Sequence, residues 1–133
     1  MKRDILERSD IEVLVNSFYE KVQQDELIGH IFTDVAKVDW SHHLPKMYDF
    51  WETILFGQKA FKGNPMAVHF NLNNHFPLQE DHFNRWKSIF FATVDEHFGG
   101  ESAEQAKIKA QSIADLMQFK ISQLPNQGIN IIR

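Results

Sequence analysis

Apolar residues recur at intervals of three and four positions along four long stretches of this 133-residue chain. Because an α-helix has about 3.6 residues per turn, this spacing puts them on one face of a helix. Strand-like alternation occurs only over 129–131, which is too short to indicate a strand. The pattern therefore predicts an all-α fold. The length fits a single domain over 1–133, with a core over about 9–125 and a C-terminal tail over 126–133.

Local signals mark the ends of these helices. Capping boxes, in which side chains three residues apart bond to free backbone amides, are predicted at Ser9–Glu12 and Ser102–Gln105. Gly57 is a suitable helix end. Pro45 leaves two alternatives for the second helix: a start near Leu44, or a separate turn over 40–44 followed by a kink. The predicted helices cover about 9–24, 40–56, 79–98 and 102–125.

Charge and cysteine content exclude several classes of function. With 14 Lys and Arg against 18 Asp and Glu, the net charge of −4 has the wrong sign for binding phosphates, so we expect no nucleic-acid partner. The absence of cysteine excludes disulfides, thiolate nucleophiles and cysteine-held metals, so any metal needs nitrogen or oxygen ligands. No segment approaches the roughly 18 apolar residues of a membrane span, which predicts a cytoplasmic protein without a membrane partner.

Aromatic and histidine content is high for so short a chain, with twelve Phe, three Trp and seven His. Two histidines lie among apolar residues. His43 continues a helical stripe with Met47 and Trp51, and His69 precedes Phe70 in an irregular segment. A single histidine is more often a hydrogen-bonded or partly exposed side chain than a metal ligand. One iron-porphyrin held between these two segments would nevertheless explain both histidines and the surplus of flat apolar surface.

A set of residues in fixed order resembles the group III truncated haemoglobins over roughly 11–124. These residues are Phe18-Tyr19, Val22, Asp25, Phe32, Trp40, His43-Leu44, Asp49-Phe50-Trp51, Phe61-Lys62-Gly63-Asn64-Pro65-Met66, His69 and Phe83-Asn84-Arg85-Trp86. The resemblance implies a globin-like fold, a truncated 2-over-2 helical sandwich around a haem. The implied cofactor is haem b, iron protoporphyrin IX.

The resemblance also assigns roles to individual residues. His69 corresponds to the proximal ligand of the haem iron, and Phe32 to the phenylalanine that wedges the haem edge. Tyr19, His43 and Trp86 correspond to the polar distal residues, and for His43 three roles stay open: binding the ligand, gating its access or coordinating iron. A phenol and an indole N–H aimed at bound dioxygen are worth about 1–3 kcal/mol each. On residues alone, each position also fits an ordinary surface or core role.

Further residues are expected to contact the cofactor, although plain core packing accounts for most of them about equally well. Lys62 is a candidate partner for the porphyrin propionates by position, as are Lys46 and Arg85. The expected cofactor-binding residues, besides Phe32, are Met47, Trp51, Lys62, Met66, Leu72, Phe90 and Met117.

The resemblance implies a protein that binds dioxygen, carbon monoxide or nitric oxide. Strong distal donors slow oxygen release, so redox chemistry such as nitric oxide dioxygenation or peroxide reduction, supported by an electron-donating reductase, is favoured over oxygen transport. Two alternatives stay open: a non-enzymatic gas sensor or store, and a haem-free helical module whose aromatic stripe binds a partner helix.

Overall fold

The computed structural model of the protein describes residues 2–31, 39–57 and 79–122. Within these ranges the chain is helical, with no strand, as the periodicity predicts. The irregular segment that contains His69 and the tail over 126–133 lie outside the described residues. The four helices are α1 (Arg8–Gln24), α2 (Trp40–Phe56), α3 (Glu80–His97) and α4 (Glu101–Ser122).

Helix α1 is the central packing element. It contacts α2 on one side and α3 on the other, and α3 in turn packs against α4. Full burial of an aliphatic or aromatic side chain contributes about 1.5–3 kcal/mol, so the inner face of α1 is a large share of the core. The residues of that face with at most 2% exposure are Ile11, Leu14, Val15, Phe18 and Val22.

The start of α1 differs from the predicted capping box. The helix begins one residue before Ser9, with Glu7 as its N-cap. The Asp10 carboxylate accepts hydrogen bonds from the backbone amides of Leu6 at 3.0 Å and Glu7 at 3.2 Å. Arg3 bonds to the same carboxylate at 2.8 Å. The prediction of Ser9–Glu12 was wrong because Asp10 reaches back to these amides and Arg3 compensates its charge.

The start of α4 is capped from the other end of the chain. The helix begins at Glu101, and the Asp4 carboxylate accepts hydrogen bonds from the amides of Ser102 at 2.9 Å and Ala103 at 2.8 Å. The predicted box at Ser102–Gln105 was therefore wrong, since a distant aspartate takes its place. Gly100 permits this approach, because a Cβ there would lie 2.7 Å from Cγ of Asp4.

Helix α2 runs unbroken through Pro45. Asp39 caps its first turn by accepting a hydrogen bond from the Ser41 amide at 3.1 Å, and Gly57 ends it with φ of 76°. A start near Leu44 and a separate turn over 40–44 were therefore both wrong. Ser41 and Pro45 are exposed, so water can satisfy the carbonyl that the proline leaves without an amide donor.

One arginine connects α1 to α2. Nη1 of Arg8 lies 2.7 Å from Oδ1 of Asp49 and 2.9 Å from Oε1 of Glu52, and the guanidinium lies 5.7 Å from the Tyr48 ring centroid. These groups are partly exposed, so we expect the pairs to contribute no more than about 1 kcal/mol each. Their main effect is to fix how α2 lies against α1.

Replacing Asp4 tests the long-range cap of α4. Asp4→Ala should lower the free energy of unfolding by about 1–3 kcal/mol, measured by urea denaturation, because two first-turn amides lose their acceptor. Ser102→Ala, which alters the cap predicted from sequence, should change it by no more than about 0.5 kcal/mol. Equal effects of the two substitutions would contradict this capping arrangement.

The same cap has a defined pH dependence. Burial opposes ionisation of Asp4, but hydrogen bonds from the amides of Ser102, Ala103 and Ile5 outweigh it and hold the pKa below its usual 3.8. A carboxylate with a lowered pKa stabilises the fold above its unfolded-state pKa, and that contribution is lost as pH falls through the folded-state value. The stability difference between the wild type and Asp4→Ala should therefore shrink below about pH 4.

Candidate functional site

Three rings from two helices meet at the interface of α1 and α2. The Tyr19 and His43 ring centroids lie 5.0 Å apart at an interplanar angle of 83°. Trp40 lies 5.4 Å from Tyr19 and 5.6 Å from His43. We call Tyr19, Trp40 and His43 the three-ring cluster. His43 meets both other rings edge to face, an arrangement that aromatic rings prefer, and Trp40 is tilted by 54° against Tyr19.

The geometry of the helix backbone explains why α1 directs Tyr19 towards this cluster. Successive residues on a helix point about 100° apart, so Phe18 and Tyr19 face different neighbours. Tyr19 contacts α2 at Trp40 and His43, whereas Phe18 contacts α3, with its centroid 5.6 Å from that of Trp86 and 5.2 Å from that of Phe90. These two neighbouring residues therefore connect α1 to the aromatic rings of both α2 and α3.

The cluster carries two buried polar groups. Tyr19 is 6% exposed, and burial raises the pKa of its phenol well above the ordinary value of about 10. The hydroxyl therefore stays protonated at physiological pH and can act as a hydrogen-bond donor. The Nε2 atom of His43 is also buried. A phenol proton and an imidazole nitrogen are thus held within one small apolar region.

Trp86, the third expected distal residue, lies in a different set of contacts. Its ring is nearly parallel to Phe90, with centroids 5.8 Å apart, and Phe90 is nearly parallel to Trp51 at 4.9 Å. Trp86 reaches Tyr19 through Phe18, whose centroid lies 4.8 Å from that of Tyr19. The structure thus brings Tyr19 and His43 together directly, and Trp86 joins them across one intervening ring.

Four expected cofactor-binding residues lie in the described core. Trp51 and Phe90 are 4% and 1% exposed, and Met47 is partly buried against the same cluster of core residues. Met117 packs with Phe83 and Ala114 in a smaller cluster. All four residues therefore make the contacts of core residues. The sequence allowed both core packing and contact with a cofactor for each of them, and these contacts are compatible with both.

The other expected site residues fall outside the described ranges. They are Phe32, Lys62, Met66, Leu72 and the expected iron ligand His69. Of the other two cations considered for the propionates, Lys46 is exposed. Nε of Arg85 lies 3.6 Å from a carboxylate oxygen of Asp25.

Trp40 is the member of the three-ring cluster that carries part of the resemblance but was given no role from the sequence. Its signal was present, because Trp40 and His43 are three residues apart and lie on one face of a helix. The sequence left open whether the helix continues through Pro45. Trp40 and His43 share a helix face only if the helix begins at Trp40, as it does in the structure.

In the described part of the chain, no group of three or more His, Asp or Glu side chains is placed to hold a metal ion. None of its helices is long and apolar enough to cross a membrane.

Comparisons with known proteins agree with the fold. The model of the bacterial-like globin family matches residues 5–121. The group 3 truncated hemoglobin ctb of Campylobacter jejuni is 28% identical over 121 residues, which are 89% of this chain and 93% of that protein. The crystal structure of group III truncated hemoglobin from Campylobacter jejuni superposes with a TM-score of 0.78 at 28% identity, covering 90% of this chain and 94% of that one.

Proposed function

The chain belongs to the bacterial-like globin family, and from that premise we propose that it is a haem b protein performing redox chemistry on diatomic gases. The resemblance to group III truncated haemoglobins and the all-α globin-like fold are confirmed. Family membership implies a haem cofactor and the binding of diatomic gases. The proposal goes further, to the residues that surround the haem and to the reaction.

The described residues provide the chemical groups that a haem and its gas ligand need. A flat macrocycle needs flat apolar neighbours, and each of α1, α2 and α3 contributes buried aromatic rings to the core, among them Phe18, Trp51 and Phe90. A diatomic ligand of haem needs polar groups shielded from water, and Tyr19 and His43 supply a buried hydroxyl and a buried imidazole nitrogen. We propose that these two residues would face the bound gas and that the imidazole of His69 would hold the haem iron.

When bound, haem supplies an iron atom that binds the gas and exchanges single electrons. The Tyr19 hydroxyl then donates a hydrogen bond to the ligand. Because the surrounding rings exclude water, this donor is preorganised and worth about 1–3 kcal/mol. Trp86, whose indole nitrogen can only donate, lies across Phe18 from Tyr19 and would border the distal side without bonding to the gas directly. His43, in ring contact with Tyr19, would control access of the gas to that side.

The buried, protonated Tyr19 hydroxyl in ring contact with His43 is the observation that carries this proposal. A donor of this kind holds dioxygen tightly, which suits conversion of the gas better than its transport. Nitric oxide dioxygenation joins one nitric oxide and one dioxygen into nitrate and consumes one electron. A cytoplasmic reductase is the proposed partner that returns this electron. Peroxide reduction is the second reaction that the same site supports.

Two other functions predict different behaviour. A gas sensor or store would bind the same ligands without fast turnover, and a haem-free helical module would take up no haem. Family membership argues against the second, because globins bind haem. A gas sensor or store differs from the proposed enzyme only in how fast the bound gas reacts.

Mixing the oxygenated protein with nitric oxide tests the reaction. We expect stoichiometric nitrate in one fast phase, followed by return of the reduced spectrum when a flavin reductase and its electron source are present. Stopped-flow absorption and ion chromatography of nitrate measure the two steps. Binding of nitric oxide with no nitrate would contradict the proposed reaction and favour a sensor or store.

Replacing His69 tests the iron ligand. His69→Gly should lose stable haem, and added imidazole should restore the visible spectrum by taking the place of the missing side chain. His43→Ala is the matched control, because it removes an imidazole on the proposed distal side and should leave haem bound. Loss of haem in His43→Ala with retention in His69→Gly would reverse the assignment of the two histidines.

A further inference from the structure

We propose that Trp40 is the residue through which oxidising equivalents leave the haem site when the protein reduces a peroxide without a supply of electrons. This inference rests on the peroxide reaction of the proposed function. Its structural basis is the three-ring cluster. Among the described residues, Trp40 is the tryptophan in ring contact with both Tyr19 and His43.

Few side chains in this protein can release an electron to a strong oxidant. The chain has no cysteine, and its oxidisable aromatic residues are three tryptophans and two tyrosines. All five lie in the described part of the structure: Tyr19, Trp40, Tyr48, Trp51 and Trp86. Their ring contacts therefore define where an oxidising equivalent can go.

Tyr19 is the nearest of these rings to the proposed ligand position, but it is a poor place for oxidation to end. A phenol must release its proton in the same step as its electron. Burial raises the pKa of Tyr19 and so opposes that release. An indole can first lose an electron and keep its proton. Trp40, in contact with Tyr19 at 5.4 Å, is therefore the better electron donor.

The other two tryptophans are less suited to this role. From Tyr19 the path to Trp86 crosses Phe18, and the path onward to Trp51 crosses Phe90. Phenylalanine rings are much harder to oxidise than indoles, so both crossings slow electron transfer. Trp51 is also 4% exposed, which leaves it far from external reductants.

Trp40 combines direct contact with a partly exposed position. It is the first residue of α2, next to the exposed Asp39, and its side chain is partly accessible to solvent. An oxidised indole there can release its N–H proton to water and later accept an electron from a soluble reductant. A single electron transfer between Trp40 and Tyr19 would thus connect the buried site to the protein surface.

The electron count of this process balances. One hydrogen peroxide molecule takes two electrons and two protons and becomes two water molecules. Before any reductant acts, one water would form, with one electron drawn from the Trp40 indole, whose N–H proton passes to solvent, and one electron drawn from the bound cofactor. An external reductant would then return both electrons, and three protons from solvent, one of them to the indole, would complete the second water.

The test is to mix the haem-loaded protein with hydrogen peroxide in the absence of reductant and to freeze samples at short times. We expect an electron paramagnetic resonance signal that narrows when the tryptophan rings are deuterated. Peptide mass spectrometry should find oxygen addition at Trp40 in preference to Trp51 and Trp86. In Trp40→Phe, which keeps an aromatic ring, this signal should be lost and the haem should bleach faster.

Two variants separate electron transfer from a structural effect. Trp40→Tyr should restore a protein radical and slow the bleaching again, because a partly exposed phenol can release its proton. Tyr48→Phe removes an oxidisable ring from the same helix outside the cluster and should behave as wild type. Peroxide consumption with Trp40 unmodified, or equal bleaching in wild type and Trp40→Phe, would overturn the inference.

Failure of the proposed peroxide reaction is distinguishable from failure of this inference. If peroxide left the haem absorption spectrum unchanged, peroxide reduction would be wrong. Photo-oxidation of the protein loaded with zinc porphyrin, in the presence of an electron acceptor, needs no peroxide and tests the path by itself. A tryptophan radical that is present in wild type and lost in Trp40→Phe supports the inference, and its absence from wild type overturns it.

Discussion

The packing of α1 between α2 and α3 is the constraint on which the rest of the structure depends. Because neighbouring residues on a helix diverge by about 100°, Phe18 contacts α3 while Tyr19 contacts α2. Both side chains are nearly fully buried, so neither helix can move relative to α1 without breaking aromatic contacts. The position of the Tyr19 hydroxyl is therefore a consequence of how the core is packed.

This dependence explains why charged residues outside the core matter for the site. Arg8 bridges α1 to Asp49 and Glu52 on α2, two turns beyond His43. The pairs are partly exposed and individually weak, but they connect the two helices that carry the three-ring cluster. Asp4, four residues earlier in the chain, acts similarly by joining the N-terminal segment to α4. Surface charges thus fix helix positions, and aromatic packing fixes the rings.

Most of the helical architecture could be predicted from the sequence, because apolar spacing records which face each helix buries. The ends of α1 at Gln24 and of α2 at Phe56 followed from the same pattern and from Gly57. The caps could not be predicted in this way. The cap of α4 comes from Asp4, about a hundred residues away, and a local motif holds no information about such a distant partner.

The three-ring cluster could be anticipated from the sequence in two of its members, Tyr19 and His43, but not in its contacts, and the structure adds that the rings of these two residues touch. Trp40 carries part of the resemblance but was given no role, because Pro45 left open whether the helix extends back that far. The cap at Asp39 shows that it does. The role of His69 as iron ligand remains a proposal that rests on the resemblance. A ligand of this kind is defined by the bound cofactor as well as by the protein chain.

The rate at which dioxygen leaves the reduced protein tests the central claim most directly, in wild type, Tyr19→Phe and the control Tyr48→Phe. If the Tyr19 hydroxyl donates to the ligand, its removal should speed dissociation roughly ten- to hundredfold while the haem stays bound. The Tyr48 control should match wild type. An unchanged rate in Tyr19→Phe would contradict the account, because the buried phenol would then serve only to pack the core.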